Sequence, residues 1–209
     1  MAQEPEPIET LLNRAADGDE TARVELVARQ RQRLRQMIAV RMDPQLGRRL
    51  DPSDVVQEVL ADAWKKLDDY LRRRPLPFYP WLRQIAFDQL VKLHRHHIGT
   101  EKRSVKREEN CDMALSDASV LALAGRLLAK GTNPSSRIVR DEGCLRVRHA
   151  LDRLPERDRE LLVMRYLEQL TTQEIGAVLD ISEGAVRTRH VRAVERLRVL
   201  LDKHPWEDD

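Results

Sequence analysis

Three groups of side chains in this 209-residue chain have the types and spacing to bind a partner or do chemistry. Ser182, Gly184, Arg187, Thr188, Arg189, Val191, Arg192 and Arg196 recur so that a helix over them turns them outward, away from an apolar stripe. Such a face carries donors for phosphate oxygens and guanine edges. Its alternative is the solvated face of an ordinary surface helix. Phe78, Tyr79 and Trp81 stand beside Arg83, Lys92 and Arg95, with Arg72, Arg73, Arg74, Lys102, Arg103, Lys106 and Arg107 on either side. Aromatics among cations are the pattern by which proteins stack unpaired bases, although the same rings can fill the core of a small domain. Asp54, Gln57 and Glu58, with Asp62 and Lys65, make a third group, an acidic helix face. No histidine or further carboxylate completes a coordination shell around it, so it reads as a solvated face or a protein-docking surface. His94, His96 and His97 lie in a basic run and read as part of a phosphate-facing surface, with no zinc site. No carboxylate cluster or activated nucleophile stands at catalytic spacing. The chain is therefore expected to be no enzyme and to need no metal or cofactor.

The elements that must position these groups are helices. Thr171 with Glu174 forms a capping box that starts a short helix carrying Ile175, Val178 and Leu179, with Gly176 and Ala177 small enough for a second helix to cross closely. Asp180 and Ile181 make the turn. Ser182 caps a longer helix whose Val186, Ala193, Val194, Leu197 and Leu200 or Leu201 face inward, completing a helix-turn-helix. Two helices precede it. One starts at Ser135 or Ser136 and carries Ile138, Val139, Leu145, Val147 and Leu151; the other starts at Leu154-Pro155-Glu156 and ends at Leu167, with Leu161, Leu162 and Met164 inward. Together these form a four-helix domain over about Ser135 to Lys203.

Toward the N-terminus, helices are expected over Ile8 to Ala16 and from Asp19 through Met42. Pro44 to Leu50 is expected to be a loop. Asp51-Pro52 opens a third helix, with Val55, Val59, Ala63 and Leu67 buried, and a fourth follows Phe78 with Leu82, Ile85, Ala86, Leu90 and Leu93 inward. Periodicity weakens between Ser104 and Asn133, apart from a short helix near Val120 to Ala129, so this stretch reads as a linker. The fold class is all-α, with small helical domains at 1–103 and 135–209 joined by a flexible linker at 104–134.

Composition agrees with that plan. Charged residues are 34% of the chain and aromatics 4%, which suits small charged helical domains better than a β-sandwich. The net charge is only +2, so nucleic-acid binding must come from local patches. Cys111 and Cys144 are far apart and read as free thiols in a reducing compartment. No apolar run is long enough for a signal peptide or membrane span, and the expected location is the cytoplasm.

Over nearly its whole length the chain resembles the extracytoplasmic-function (group IV) sigma factors of bacterial RNA polymerase. DPSDVVQEVLADAW followed by PFYPWLRQIAFDQL is similar to that family's region 2, and LDRLPERDRELLVMRYLEQLTTQEIGAVLDISEGAVRTRHVRAVERL to its region 4. The resemblance implies a non-enzymatic promoter-specificity subunit. Asp54, Gln57 and Glu58 match the positions that dock on the coiled coil of the polymerase beta-prime subunit, and region 4 brings the beta flap as a second docking point. The segment from Phe78 through Arg95 matches the element that melts the −10 region and captures a flipped base, with Phe78, Tyr79, Trp81, Arg83, Asp88, Lys92 and Arg95 as its candidate contacts. Arg187, Thr188, Val191 and Arg192 match the readers of the −35 element. Promoter DNA and core polymerase are thus the implied partners, and many family members also meet an anti-sigma factor. Asp88 departs from the family's frequent Asn, and Gln169 and Asp180 stand where Gly is common. A stand-alone helix-turn-helix regulator that binds an operator as a dimer is the rival reading. It leaves the acidic face and the aromatic-basic segment without a role.

Overall fold

The computed structural model describes residues 6–97, 119–120, 122–123 and 146–202. Cys111, Cys144 and the inward residues Ile138, Val139 and Leu145 lie outside the described residues, as does most of the expected linker. The chain divides into two compact units, residues 1–103 and 104–209.

In the first unit, α1 (Ile8–Ala16) ends at Gly18, whose φ of 92° suits glycine alone. The Asp19 carboxylate then accepts the Ala22 N–H at 3.1 Å and starts α2 (Glu20–Arg41). That bond, with a second from Arg14, holds the Asp19 carboxyl below the usual carboxylate range. The stretch after Asp43, expected to be a loop, instead contains a one-turn helix, α3 (Pro44–Gly47). Asp43 caps it by accepting the Gln45 N–H at 2.7 Å, and burial of Leu46 fixes it to the core. Asp51 caps α4 (Pro52–Arg73) in the same way through the Ser53 N–H, and Arg74 closes that helix in the left-handed region at φ 41°. After Pro75 to Pro77 comes α5 (Phe78–His97).

Helix α2 packs on α1, α4 and α5, α4 packs on α1 and α5, and α3 rests on α5. The foreseen stripe of α4, Val55, Val59, Ala63 and Leu67, is buried together with Val56, Tyr70 and Leu71. It meets Leu26, Leu34, Met37 and Ile38 of α2 and Leu82, Ala86 and Leu90 of α5 in one core. Each large aliphatic side chain removed from water in this way contributes roughly 1.5–3 kcal/mol.

In the second unit, residues 146–153 form α6, which buries Val147, Ala150 and Leu151. After Pro155 comes α7 (Glu156–Leu162), which runs on as a five-residue π-helical stretch, Val163–Leu167. Then follow α8 (Thr172–Leu179) and α9 (Glu183–Asp202). Helix α9 packs on α7 and α8, and α8 packs on the π stretch. Within the segment expected to be a linker, residues 119–120 and 122–123 are helical, and Val120 and Leu123 are buried. Among the described residues no helix is long and apolar enough to cross a membrane.

Candidate nucleic-acid interface

Local chemistry builds the helix-turn-helix as the sequence leads one to expect. Glu174 N–H donates to Thr171 Oγ1 at 3.1 Å, and Thr171 N–H donates to Glu174 Oε2 at 2.8 Å, closing the capping box. Asp180 ends α8 with φ 52°. Gly176 sits at the crossing, where an added Cβ would come within 2.8 Å of the Ile181 carbonyl oxygen. Of the two small residues foreseen there, Gly176 is the one the close approach requires. Ser182 Oγ accepts the Ala185 N–H at 3.2 Å and caps α9.

Val186, Ala193 and Leu197 anchor α9 in the core, whereas Val194, Leu200 and Leu201 are only half-buried. Opposite them Ser182, Gly184, Arg187, Thr188, Val191 and Arg192 are exposed, and Val191 retains 54% of its surface. Arg187 reaches back to Glu183 at 2.9 Å, and the Thr188 hydroxyl donates to the Gly184 carbonyl at 3.0 Å. Arg192 has no hydrogen bond or ion pair among the described residues. Arg196, expected on the same face, is bound instead to Asp158 of α7, a carboxylate with only 6% of its side chain exposed. That pair ties α9 to α7, so in this structure Arg196 serves the domain.

The turn at Gln169, where the family often has Gly, is left-handed as that position suggests, whereas a second feature, the Tyr166–His190 contact, escapes sequence reasoning. Gln169 adopts φ 59°, and its turn is stitched by Leu170 N–H to the Met164 carbonyl at 2.9 Å and by Arg165 to the Leu170 carbonyl at 3.1 Å. The strained residue is therefore held from both sides. Tyr166, within the π stretch, meets His190 of α9 with 3.0 Å between its hydroxyl and Nε2. Burial, and then the Arg165 charge, lower the His190 pKa, which keeps the imidazole neutral near pH 7.

The first unit departs further from expectation. Phe78 and Tyr79 are buried, at 3% and 2% exposure, and leave no ring face for a base. Tyr70, Phe78 and Trp81 form a cluster in which Tyr70 and Trp81 stack at 4.3 Å, and the Tyr70 hydroxyl donates to the Leu76 carbonyl at 3.0 Å. Burial pushes the Tyr70 phenol up to about 12. Tyr79 lies under the Arg33 guanidinium, 3.6 Å from its ring centre. Arg83 is likewise buried. Of the two uses open to the aromatics, filling the core is the one that Phe78 and Tyr79 adopt. The basic loop is also engaged internally: Arg72 and Arg73 pair with Asp69, and Arg74 donates to the Leu12 carbonyl and Asn13 Oδ1 of α1.

On α5 there remains one outward stripe, in which half-buried Trp81 is followed by exposed Gln84, Asp88, Lys92 and Arg95. Gln84 belongs to it although its sequence context gives no hint. The acidic face of α4 is exposed at Asp54, Gln57 and Glu58. Glu58 accepts a hydrogen bond from Gln89 of α5 at 2.6 Å, Asp62 pairs with Lys65 at 3.1 Å, and Trp64 stands beside them with 40% of its surface exposed.

Comparison with known proteins gives both units a counterpart. Residues 27–97 match the model of Sigma-70 region 2, and residues 150–199 that of Sigma-70, region 4. The RNA polymerase sigma factor CnrH of Cupriavidus metallidurans is 30% identical over 199 residues, covering 95% of this chain and 96% of CnrH. The ECF RNA polymerase sigma-E factor of Escherichia coli is 30% identical over 189 residues, or 90% of this chain and 91% of the relative. The ECF RNA polymerase sigma factor SigW of Bacillus subtilis is 26% identical over 194 residues, or 93% and 96%. Among solved structures, CnrH in complex with the cytosolic domain of CnrY aligns with a TM-score of 0.50 and 28% identity, covering 92% of this chain and 96% of that one.

Proposed function

The chain belongs to the extracytoplasmic-function sigma factors of bacterial RNA polymerase, and from that premise we propose how its two units divide promoter-specific initiation. As an alternative sigma factor it binds core polymerase and promoter DNA and directs where transcription starts. In our assignment the exposed carboxylates and amide of Asp54, Gln57 and Glu58 dock on the beta-prime coiled coil. The α5 stripe of Trp81, Asp88, Lys92 and Arg95 takes the melted −10 strand. Ser182, Gly184, Arg187, Thr188, Val191 and Arg192 read the −35 element from the major groove.

The observation that carries the −35 assignment is the exposed face of α9. It pairs two guanidinium groups with a bare valine methyl surface, the complement of guanine edges and a thymine methyl group. For the −10 stripe, support comes from cations and a ring edge left outside a helix whose remaining aromatics are buried. Phe78, Tyr79 and Arg83 act indirectly here, by holding α5 in register with α2 and α4. None of these groups forms or breaks a covalent bond; the polymerase does the chemistry, and the protein acts in the cytoplasm where that enzyme works. The likeness to CnrH extends the partner list to a protein that holds this sigma factor as the cytosolic domain of CnrY holds CnrH.

Run-off transcription with purified core polymerase tests the assignment. Promoter-dependent transcripts are expected only when both core and this protein are present. Failure to bind core, together with tight binding of a palindromic duplex by the protein alone, would establish the operator-binding regulator instead.

A further inference from the structure

Asp88 is the one acidic member of the α5 stripe. It is exposed, and among the described residues its carboxylate makes no hydrogen bond or ion pair. Lys92, four residues on and in a position to pair with it, makes no ion pair with it among the described residues. A free carboxylate thus stands between Gln84 on one side and the cations Lys92 and Arg95 on the other. All of them lie on one face of the helix, at intervals that place successive side chains about 4.5–6 Å apart along the axis.

Single-stranded DNA brings phosphates and base edges to such a stripe, and the two make opposite demands. Lys92 and Arg95 suit phosphates. An ionised carboxylate repels them and can only accept hydrogen bonds, so Asp88 has to meet a base edge that presents donors. The four Watson–Crick edges differ here. Guanine presents two adjacent donors, N1–H and N2–H, matching the two oxygens of one carboxylate. Cytosine and adenine each set one amino donor beside a ring-nitrogen acceptor, which would face the second oxygen with a lone pair. Thymine flanks its N3–H with two carbonyl oxygens. In duplex DNA the guanine major-groove edge is N7 and O6, both acceptors, and would repel Asp88. The donor edge becomes available only once the base is unpaired.

We propose that Asp88 selects an unpaired guanine in the melted −10 strand by accepting its N1–H and N2–H hydrogen bonds. The inference rests on assigning the α5 stripe to the −10 strand and adds to it the base that the stripe prefers. Asp88 also favours the melted state, because a paired guanine spends N1–H and one N2–H on its partner base and no longer presents the two-donor edge. Lys92 and Arg95 hold the neighbouring backbone, and Gln84 is placed to reach the adjoining base.

The test uses the full-length protein assembled with core polymerase and a single-stranded DNA pool randomised through its central positions. Bound molecules are sequenced for the wild type, for D88N, for D88E and for the K92A/R95A double variant. Guanine at one position should be enriched about ten- to a hundredfold over the other bases, the range a good bidentate contact gives. D88N, which replaces one acceptor with a donor, should bring that position near parity, and D88E should recover part of the guanine preference. If the pool is retained, K92A/R95A weakens retention, and D88N leaves the base profile unchanged, the guanine assignment is overturned while the −10 assignment stands. If the pool is not retained beyond core polymerase alone, both are overturned.

Discussion

Helices α5 and α9 are each twenty residues long, and both are assigned to DNA, yet they commit their side chains in opposite ways. Helix α9 touches its domain along a narrow line through Val186, Ala193 and Leu197, with Arg196 tied to Asp158, and its Arg187, Val191 and Arg192 stay in water. Helix α5 is wedged against α2, α3 and α4. Phe78, Tyr79 and Arg83, which look like binding residues in sequence, are consumed by that packing. A helix packed on one side keeps its conspicuous residues for a partner, whereas a helix packed on several sides keeps only a stripe.

The contrast makes substitutions on the two helices separable. Phe78→Ala removes a buried ring from the Tyr70–Trp81 cluster and should cost about 3–5 kcal/mol of stability, read as a lower urea midpoint. Val191→Ala, also an apolar truncation, should fall within about 0.5 kcal/mol of wild type. Comparable losses at the two sites would erase the distinction. Tyr70 gives the same cluster a pH signature. Its phenol is unfolded-like at 10 but about 12 in the fold, so the folded state keeps a proton that the unfolded chain loses. The stabilisation is therefore complete below pH 10 and lost as pH rises toward 12, by up to about 3 kcal/mol. Tyr70→Phe should flatten that part of the stability–pH curve, and an unchanged slope would mean that the burial is misjudged.

On the other helix, Arg192→Ala should weaken −35 binding by about 1–3 kcal/mol if the guanidinium makes a bidentate base contact, with no change in melting temperature. Promoter competition measures the first quantity and thermal unfolding the second. Arg187, already shared with Glu183, should show a smaller loss. The smallest effect is expected at the turns. Gln169→Gly should relieve left-handed strain and stabilise the second unit by up to about 1 kcal/mol, more than Asp180→Gly, because aspartate tolerates that conformation better than glutamine. Equal effects in chemical denaturation would show that Gln169 is not strained.

What could be read from the sequence was whatever is encoded locally. Asp19, Asp51, Thr171 with Glu174, and Ser182 each cap a helix through an N–H two or three residues away, and each is visible as a residue type at a fixed offset. The outward face of α9 follows from the spacing of its apolar residues. What could not be read depends on distant partners. Burial of Tyr79 depends on Arg33, forty-six residues earlier, and the fate of Arg196 on Asp158, thirty-eight residues earlier. The π stretch that brings Tyr166 to His190 has no propensity signal. Pro44–Gly47 reads as a loop because four residues show no period, and the Asp43 cap together with the burial of Leu46 makes the turn helical.

The division of labour between the units is tested most directly by measuring core-polymerase affinity and promoter-specific transcription together for two double variants. Charge reversal at Asp54 and Glu58 should abolish core binding and, with it, transcription. Arg187→Ala with Arg192→Ala should leave core affinity unchanged while transcription from a −35-dependent promoter falls. Normal core affinity in the first variant, or normal promoter selection in the second, would contradict the assignment of docking to α4 and of −35 reading to α9.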